Sequence, residues 1–323
     1  MKKLEPEITL PARRRKWISH DALWGMIFVA PFVATAAVFL IFPMGYSFYL
    51  SLRETTLYSS WFDQFGDMRY VGAANYTGLL SDPVFWYSLL ATLFYAIIVI
   101  PAGLAASLAL ALLLSAKMPG YKSLRTAFFL PHVFDVFVVG LIWLLLYNPQ
   151  GPFAFIFRIL GVDWFTKNGF IDNPITILPG IGFAMILKGM GFGMVLFLTA
   201  LNNIPESIFE AAEIDGAGRC QKLWRVTIPL LRPMILFLIV TGLAGVLNAF
   251  SEFYAMTRAG GGPAFSFFGH TVQSARVTGF ELYRLFDESF YGRAAAMSFM
   301  LLAIGLSITW INFRVLGKDN QSL

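Results

Sequence analysis

The stretch Asn203–Pro233 reads NIPESIFEAAEIDGAGRCQKLWRVTIPLLRP and is the most polar long segment of an otherwise apolar chain. It lies between two apolar runs that are each long enough to cross a bilayer. Of the 323 residues, 57% are hydrophobic and 13% are charged, and the mean hydropathy is +0.67. This composition is far more apolar than that of a soluble globular domain. The chain is therefore predicted to be an integral membrane protein.

Six apolar runs in the sequence have the length needed to span the hydrocarbon core. Because lipid offers the backbone no hydrogen-bond partners, these runs are expected to be helices. We predict an all-α, polytopic fold with one six-helix domain at residues 23–316, an N-terminal arm at 1–22 and a tail at 317–323. Residues Ala34–Ala36 resemble a signal-peptide cleavage site, but the first apolar run continues well past them. We therefore expect the first helix to be retained in the mature protein rather than cleaved off. The predicted spans are Leu23–Leu50, Trp86–Ser115, Leu124–Tyr147, Ile175–Leu201, Pro229–Ser251 and Ala294–Phe313.

Lys and Arg residues are unevenly divided between the segments that link the predicted spans. With a cytoplasmic N-terminus, 15 of the 24 basic residues fall in inner segments and 8 fall in the longer outer segments. The positive-inside rule then places both termini and the loop at 203–229 in the cytoplasm. These inner residues account for the pI near 9.3, so binding to nucleic acid is not expected.

Signatures of several enzyme and cofactor-binding classes are absent from the sequence. The three histidines, His20, His132 and His270, lie far apart, and no HExxH or Cys/His metal set is present. Cys220 is the single cysteine, so no internal disulfide can form. No GxxxxGK phosphate loop is found. We predict a non-catalytic chain that binds no metal or nucleotide, so energy for uphill transport must come from another protein.

The opening stretch is predicted to form two short helices joined by a glycine turn. Pro205 suits the first helical turn, and the Asn203 side chain is a suitable cap. A solvated amphipathic connector at the membrane surface is the simplest interpretation of this pattern. The predicted acidic stripe consists of Glu206, Glu210 and Glu213, and the turn contains Gly216 and Gly218.

The same loop resembles the EAA loop of ABC importer permeases. The matching residues are Glu210-Ala211-Ala212, then Asp215-Gly216-Ala217, then Ile228-Pro229. Further segments resemble the carbohydrate-uptake branch of that family, and within it the maltose-type first permease subunit. These segments are Asn75-Tyr76, Asp82-Pro83-Val84-Phe85-Trp86, Leu130-Pro131 and Gly261-Gly262-Pro263.

This resemblance implies a bacterial inner-membrane complex of several proteins. It contains a second permease subunit, a homodimeric ATPase that binds ATP and Mg, and an extracytoplasmic solute-binding protein. The EAA loop, residues 203–229, is expected to sit in a cleft of the ATPase and to transmit its closing motion to the spans. Small residues there permit close backbone approach. The predicted coupling residues are Glu206, Glu210, Ala211, Ala212, Asp215, Gly216 and Ala217.

An ionisable residue, Lys188, lies near the middle of the fourth predicted span. Such a residue is costly in a bilayer and indicates either a partner or a function. One hypothesis is a buried ion pair with Asp135 of the third span. The other is that Lys188 lines the substrate path, because the resemblance to maltose-type permeases places a sugar-contacting face there. By position, that path comprises Met185, Lys188, Gly189, Phe192, Gly242, Gly245, Val246 and Ala249, with Phe253 as a further candidate for stacking on sugar.

Glycines on the fourth and fifth spans widen the predicted path, and Lys188 places a cation beside it. This combination favours an acidic oligosaccharide as the substrate, such as the oligouronates carried by alginate importers of this branch. A neutral oligosaccharide and a glycerol-phosphate-type solute are the alternatives. An intramembrane sugar or acyl transferase would need a polar catalytic cluster, for which Asp135 and Lys188 are the candidate pair. Glu252 is expected to be a solvated helix end, with an outer gate or contact with the binding protein as the alternatives. The charges of the last outer segment, among them Arg276 and Glu281, are expected to form a solvated surface, and the resemblance implies docking of the binding protein as the alternative.

Overall fold

The computed structural model describes residues 20–54, 68–116, 118–161 and 169–316. Most of the predicted N-terminal arm and all of the predicted tail lie outside these residues, and the domain bounds stay a prediction. The described part of the chain is mostly helical. It also contains two short antiparallel strand pairs, Arg53–Glu54 with Arg69–Tyr70 and Ala264–Phe267 with His270–Gln273, which the all-α prediction did not include.

Four helices of the described chain are long and apolar enough to cross a membrane, and there are six such spans if each of two bent helix pairs counts as one. The prediction of a helical membrane protein is confirmed. The predicted count of six spans agrees with the structure when each bent pair is counted as one span. The long spans are Leu23–Ser51, Pro83–Ser115, Ile177–Asn202 and Tyr291–Asn312, and the bent pairs are Tyr121–Val133 with Val136–Leu146 and Arg219–Leu230 with Arg232–Leu247.

The first span consists of the helix His20–Ala36, a π-helical turn at Ala37–Ile41 and the helix Phe42–Ser51. Residues up to Tyr49 form a compact unit separate from the rest of the chain. The most apolar window of this span has no buried residue. Its side chains are therefore suited to contact with lipid or with another protein.

Short helices connect or extend the spans. On the side that carries the EAA loop they are Glu206–Ile214, Arg219–Lys222, the π-helical turn Leu223–Thr227, and Ile228–Leu230. On the opposite side, called the distal side below, they are Ala74–Leu80, Pro152–Ile159, Ser251–Met256 and Thr278–Asp287. The sixth span belongs to a helix that extends over Tyr291–Leu316.

The third span is broken rather than continuous, which the sequence did not indicate. Its halves meet at an angle of 101°. Pro131 lacks the N–H that would continue the helical ladder, and the first half ends at Val133. Asp135 then begins the second half as its N-cap, because its carboxylate accepts a hydrogen bond from the Phe137 amide at 2.8 Å.

The fifth span also departs from the predicted Pro229–Ser251. Its helices Ile228–Leu230 and Arg232–Leu247 are separated by Leu231, and the pair is bent by 66°. Proline at the start of each helix fits this geometry, because its missing N–H costs nothing in a first helical turn. The helix ends at Leu247, before the predicted end of the span.

The core lies mainly between the second and fourth spans. Tyr95, Ile181 and Phe253 are almost fully buried in one large cluster, and the Tyr95 and Phe253 rings meet edge to face at 5.0 Å. Gly191 allows the fourth span to approach the third, because a Cβ at this position would overlap the Phe128 carbonyl oxygen. Small residues thus set the spacing of these helices, as is usual in membranes.

The distal segments form an ordered cap instead of a solvated surface. Gly261 and Gly262 have positive φ angles of 70° and 82°, which glycine adopts without strain. The strands Ala264–Phe267 and His270–Gln273 then form a hairpin. The expected solvation of Arg276 and Glu281 is wrong, because both side chains are buried and form an ion pair with each other.

Candidate coupling surface and substrate path

The EAA loop begins with the helix Glu206–Ile214. Pro205 is its N-cap, whereas Asn203, the predicted cap, instead ends the fourth span. The helix is closed by hydrogen bonds from the Gly216 amide to the Glu213 carbonyl and from the Ala217 amide to the Ala212 carbonyl, at 3.0 and 2.9 Å. Gly216 has a φ of 75°, a conformation that glycine adopts without strain.

The surface of the EAA loop carries two large exposed apolar side chains among its charged residues. Ile214 is 87% exposed and Trp224 is 65% exposed. Exposed apolar groups of this size are suited to contact with another protein or with the membrane surface. Of the predicted coupling residues, Ala212 and Ala217 are half-buried, and the exposed ones are Glu206, Glu210, Ala211, Asp215 and Gly216.

An ion pair joins the two arms of the EAA loop. The Lys222 ammonium lies 2.5 Å from a Glu213 carboxylate oxygen. This hydrogen-bonded cation lowers the pKa of Glu213 below its usual value. The second arm starts at Gly218, whose amide donates to the Gln221 side chain at 3.0 Å. The helix–turn–helix geometry predicted for the loop is therefore present, and its two helices are tied together.

A cavity of about 310 Å³ lies between the second, fourth and fifth spans. Met185, Gly189, Phe192, Gly242 and Val246, all predicted path residues, line it. The second-span wall was missed by the sequence analysis, and no polar residue pattern there draws attention to it. That wall consists of Val99, Ile100, Gly103, Leu104 and Ser107.

Four of the predicted path residues do not line this cavity. Ala249 and Phe253 are buried in the core cluster, where Phe253 packs against Tyr95. Gly245 is exposed, and among the described residues no atom of another element lies within 4 Å of a Cβ added there. Lys188 is 9% exposed and shares the fourth span with six lining residues. The structure thus brings together part of the predicted path.

The direct Asp135–Lys188 ion pair is absent between these two described residues. The Lys188 ammonium instead donates to the His132 carbonyl at 3.3 Å, and the Asp135 carboxylate caps its own helix. Both partners arise from the break in the third span, which exposes a carbonyl on one side and an amide on the other. The pair proposed for an intramembrane transferase is therefore not assembled.

Two residues that were not predicted to belong to the site, His132 and Glu252, lie near Lys188. The His132 ring stacks on Phe192 with a centroid distance of 4.6 Å. Glu252, expected to be a solvated helix end, is instead half-buried, lies beside the Tyr95 hydroxyl and acts electrostatically on Lys188. Neither contact has a sequence signature, because both depend on how the spans pack.

Comparison with known proteins agrees with this architecture. The chain is 29% identical over 297 residues to the trehalose/maltose transport system permease protein MalF of Thermococcus litoralis, covering 92% of this chain and 94% of that protein. It is 28% identical over 300 residues to the sn-glycerol-3-phosphate transport system permease protein UgpA of Agrobacterium fabrum, covering 90% and 94%. The predicted resemblance to maltose-type permeases is confirmed.

The fold is also similar to a chain of a bacterial alginate ABC transporter, whose crystal structure is in complex with an alginate pentasaccharide-bound periplasmic protein. The TM-score is 0.72 at 22% identity, and the match covers 90% of this chain and 92% of that chain. A family model matches residues 119–316, a range that includes the EAA loop and the cavity-lining parts of the fourth and fifth spans. The chain belongs to the family of binding-protein-dependent transport system inner membrane components.

Proposed function

We propose that the chain is a transmembrane permease subunit of an ATP-driven, binding-protein-dependent saccharide importer. The observation that carries this proposal is the EAA loop, with its glycine turn and exposed Ile214 and Trp224 on a chain of this family. Such a surface suits docking in a cleft of a homodimeric ATPase. ATP and Mg bind to that partner, and this subunit is not catalytic.

Both termini and the EAA loop face the cytoplasm in this proposal, which follows the distribution of Lys and Arg. The distal cap then faces the solute-binding protein. A second permease subunit completes the path, since the cavity is lined by one side of this chain. The similarity to an alginate transporter in complex with a periplasmic protein supports a solute-binding protein as a partner.

An acidic oligosaccharide, such as an alginate oligouronate, is the substrate class that we favour. Lys188 is a buried cation on the span that supplies Met185, Gly189 and Phe192 to the cavity. A carboxylated sugar would offset the cost of keeping this charge in the membrane. The maltose-type and glycerol-phosphate relatives make a neutral oligosaccharide or a phosphorylated solute the alternatives.

The coupling role is tested with Gly216→Trp in proteoliposomes that contain all subunits. Gly216 has open space around it, so the added ring projects into the docking cleft. We expect uptake to be abolished while the protein remains in the membrane. Gly120→Trp is the matched control, because Gly120 has a similar φ of 79° and, among the described residues, open surroundings in the segment between the second and third spans. Equal loss of uptake in both variants, or normal uptake by Gly216→Trp, would refute the coupling role.

The substrate class is tested with Lys188→Gln in the same proteoliposomes, supplied with a mannuronate trisaccharide or with maltotriose. Loss of the cation should reduce mannuronate uptake by about tenfold or more, the effect of one charge-assisted hydrogen bond. Uptake of maltotriose, if it occurs, should not change by a comparable factor. Unchanged mannuronate uptake would exclude Lys188 from the path.

A further inference from the structure

The break in the third span leaves backbone groups unpaired at membrane depth. A continuous helix would pair the His132 carbonyl with the amide four residues on. Here the chain turns away at Phe134, and the Lys188 ammonium takes the place of that amide at 3.3 Å. Because the bilayer interior supplies no water to such a carbonyl, this hydrogen bond stabilises the broken geometry.

Two residues of the fourth span contact His132. Lys188 binds its carbonyl, and Phe192, one helical turn further along, stacks on its ring. Phe192 lines the cavity, as do Met185 and Gly189, which lie on either side of Lys188 in the same helix. The end of the first half-helix is thus fixed by residues that belong to the wall of the cavity or lie beside it.

The Lys188 ammonium retains capacity for a further acceptor. It has three N–H donors, and in the part of the chain that the structure describes one of them has an acceptor, the His132 carbonyl. Asp135 and Glu252 act on it electrostatically, but neither carboxylate forms an ion pair with it there. A carboxylate that enters the cavity would therefore compete with the weaker, neutral carbonyl acceptor.

We propose that Lys188 is a substrate-responsive latch on the break in the third span. Without an anionic solute, its ammonium holds the His132 carbonyl and fixes the angle between the half-helices. A sugar carboxylate in the cavity draws the ammonium away and frees the break to change its angle. This inference rests on the proposed function, and it makes acidic saccharides trigger a conformational response that neutral ones do not.

Amide hydrogen exchange of the complete transporter in lipid nanodiscs tests the latch. The relevant amides lie at residues 134–140, where Phe137 and Val139 donate to the side chain and carbonyl of Asp135. A mannuronate trisaccharide should accelerate their exchange roughly tenfold, the effect of losing one charge-assisted hydrogen bond. Maltotriose should have no such effect. An equal response to both sugars, or to neither, overturns the proposal.

Variants of Lys188 separate the role of its hydrogen-bond donor from the role of its charge. Lys188→Met removes the donor, so residues 134–140 should exchange roughly tenfold faster without any sugar. Lys188→Gln keeps a donor for the carbonyl but has no charge. Exchange at residues 134–140 in this variant should therefore stay near the wild-type rate and should not change when mannuronate is added. Lys222→Met, the same substitution in the EAA loop, should leave residues 134–140 unaffected. Wild-type exchange in Lys188→Met overturns the latch.

The outcome for the latch is distinguishable from that for the proposed function. If mannuronate is transported but does not change exchange at residues 134–140, the latch is wrong and the importer assignment stands. If mannuronate is neither transported nor able to alter exchange, both the acidic substrate and the latch are wrong. Should Lys188→Met fail to assemble, the wild-type response to the two sugars decides alone.

Discussion

At the scale of single residues, Gly191 controls how closely the third and fourth spans approach. A Cβ there would overlap the Phe128 carbonyl oxygen and lie 2.9 Å from the Phe129 Cα, both of which are backbone atoms. Gly191→Ala should therefore destabilise the protein by about 1–3 kcal/mol through overpacking. This outweighs the gain of up to about 1 kcal/mol in helix propensity. A thermal unfolding midpoint in detergent measures the effect.

Gly189→Ala is the matched control for that prediction. Gly189 lies two residues away on the same helix, lines the cavity, and has no atom within 4 Å of an added Cβ. We expect its midpoint to equal or slightly exceed that of the wild type, because helix propensity acts alone. Equal midpoints for both variants would show that Gly191 does not set the contact between the spans.

At the scale of elements, the Glu213–Lys222 ion pair links the two helices of the EAA loop. Lys222 lowers the pKa of Glu213. The ion pair therefore stabilises the folded loop at pH values above 4.5, the usual pKa of a glutamate side chain. This contribution is lost as the pH falls through the lowered pKa, because the protonated carboxyl no longer attracts Lys222. The loop should therefore loosen in acid and remain closed at neutral pH.

Spin labels on the native Cys220 and on Ser207→Cys measure this change as a distance distribution. In the wild type, the distribution should be narrow at pH 7 and broaden below about pH 4.5. Glu213→Gln should give the broad distribution at both pH values. A narrow, pH-independent distribution in Glu213→Gln would mean that packing, not the ion pair, fixes the loop.

At the scale of the whole molecule, a partly buried ion network within the distal cap lies next to a hydrogen bond that ties the cap to the spans. Glu281 is paired with Arg276 and lies 3.0 Å from Arg284. At the start of the same helix, the Thr278 amide donates to the Thr92 hydroxyl of the second span at 2.8 Å. The helix Thr278–Asp287 is thereby anchored against the spans, and the cap is expected to unfold with them.

Glu281→Ala should destabilise the protein by about 3–5 kcal/mol, because it leaves the buried Arg276 without its counter-charge. Glu288→Ala is the control, since Glu288 pairs with the same Arg284 but its side chain is 42% exposed. That variant should cost no more than about 1 kcal/mol. Thermal unfolding midpoints compare the two. Similar values would show that the network is solvated in the working protein.

Many features of the fold and the coupling surface could be predicted from the sequence, because they depend on local patterns. Apolar runs located the four long spans to within a few residues, and Gly216 marked the end of the helix Glu206–Ile214 because it adopts a positive φ. The cavity was predicted in part. Glycines and Lys188 mark the fourth and fifth spans, whereas the second-span wall carries mostly ordinary apolar residues and no charged residue.

The sequence by itself determined that the chain is a multi-span membrane protein with a polar loop between its fourth and fifth spans, since hydrophobic length and turn chemistry act over a few neighbouring residues. Only the tertiary structure decided the partners of the charges. Asp135 caps its own helix and Lys188 binds a carbonyl because the third span breaks between them. Arg276 and Glu281 are buried because the distal segments fold onto the spans. Such partners depend on which groups are brought together and shielded from water, and a linear pattern does not encode that.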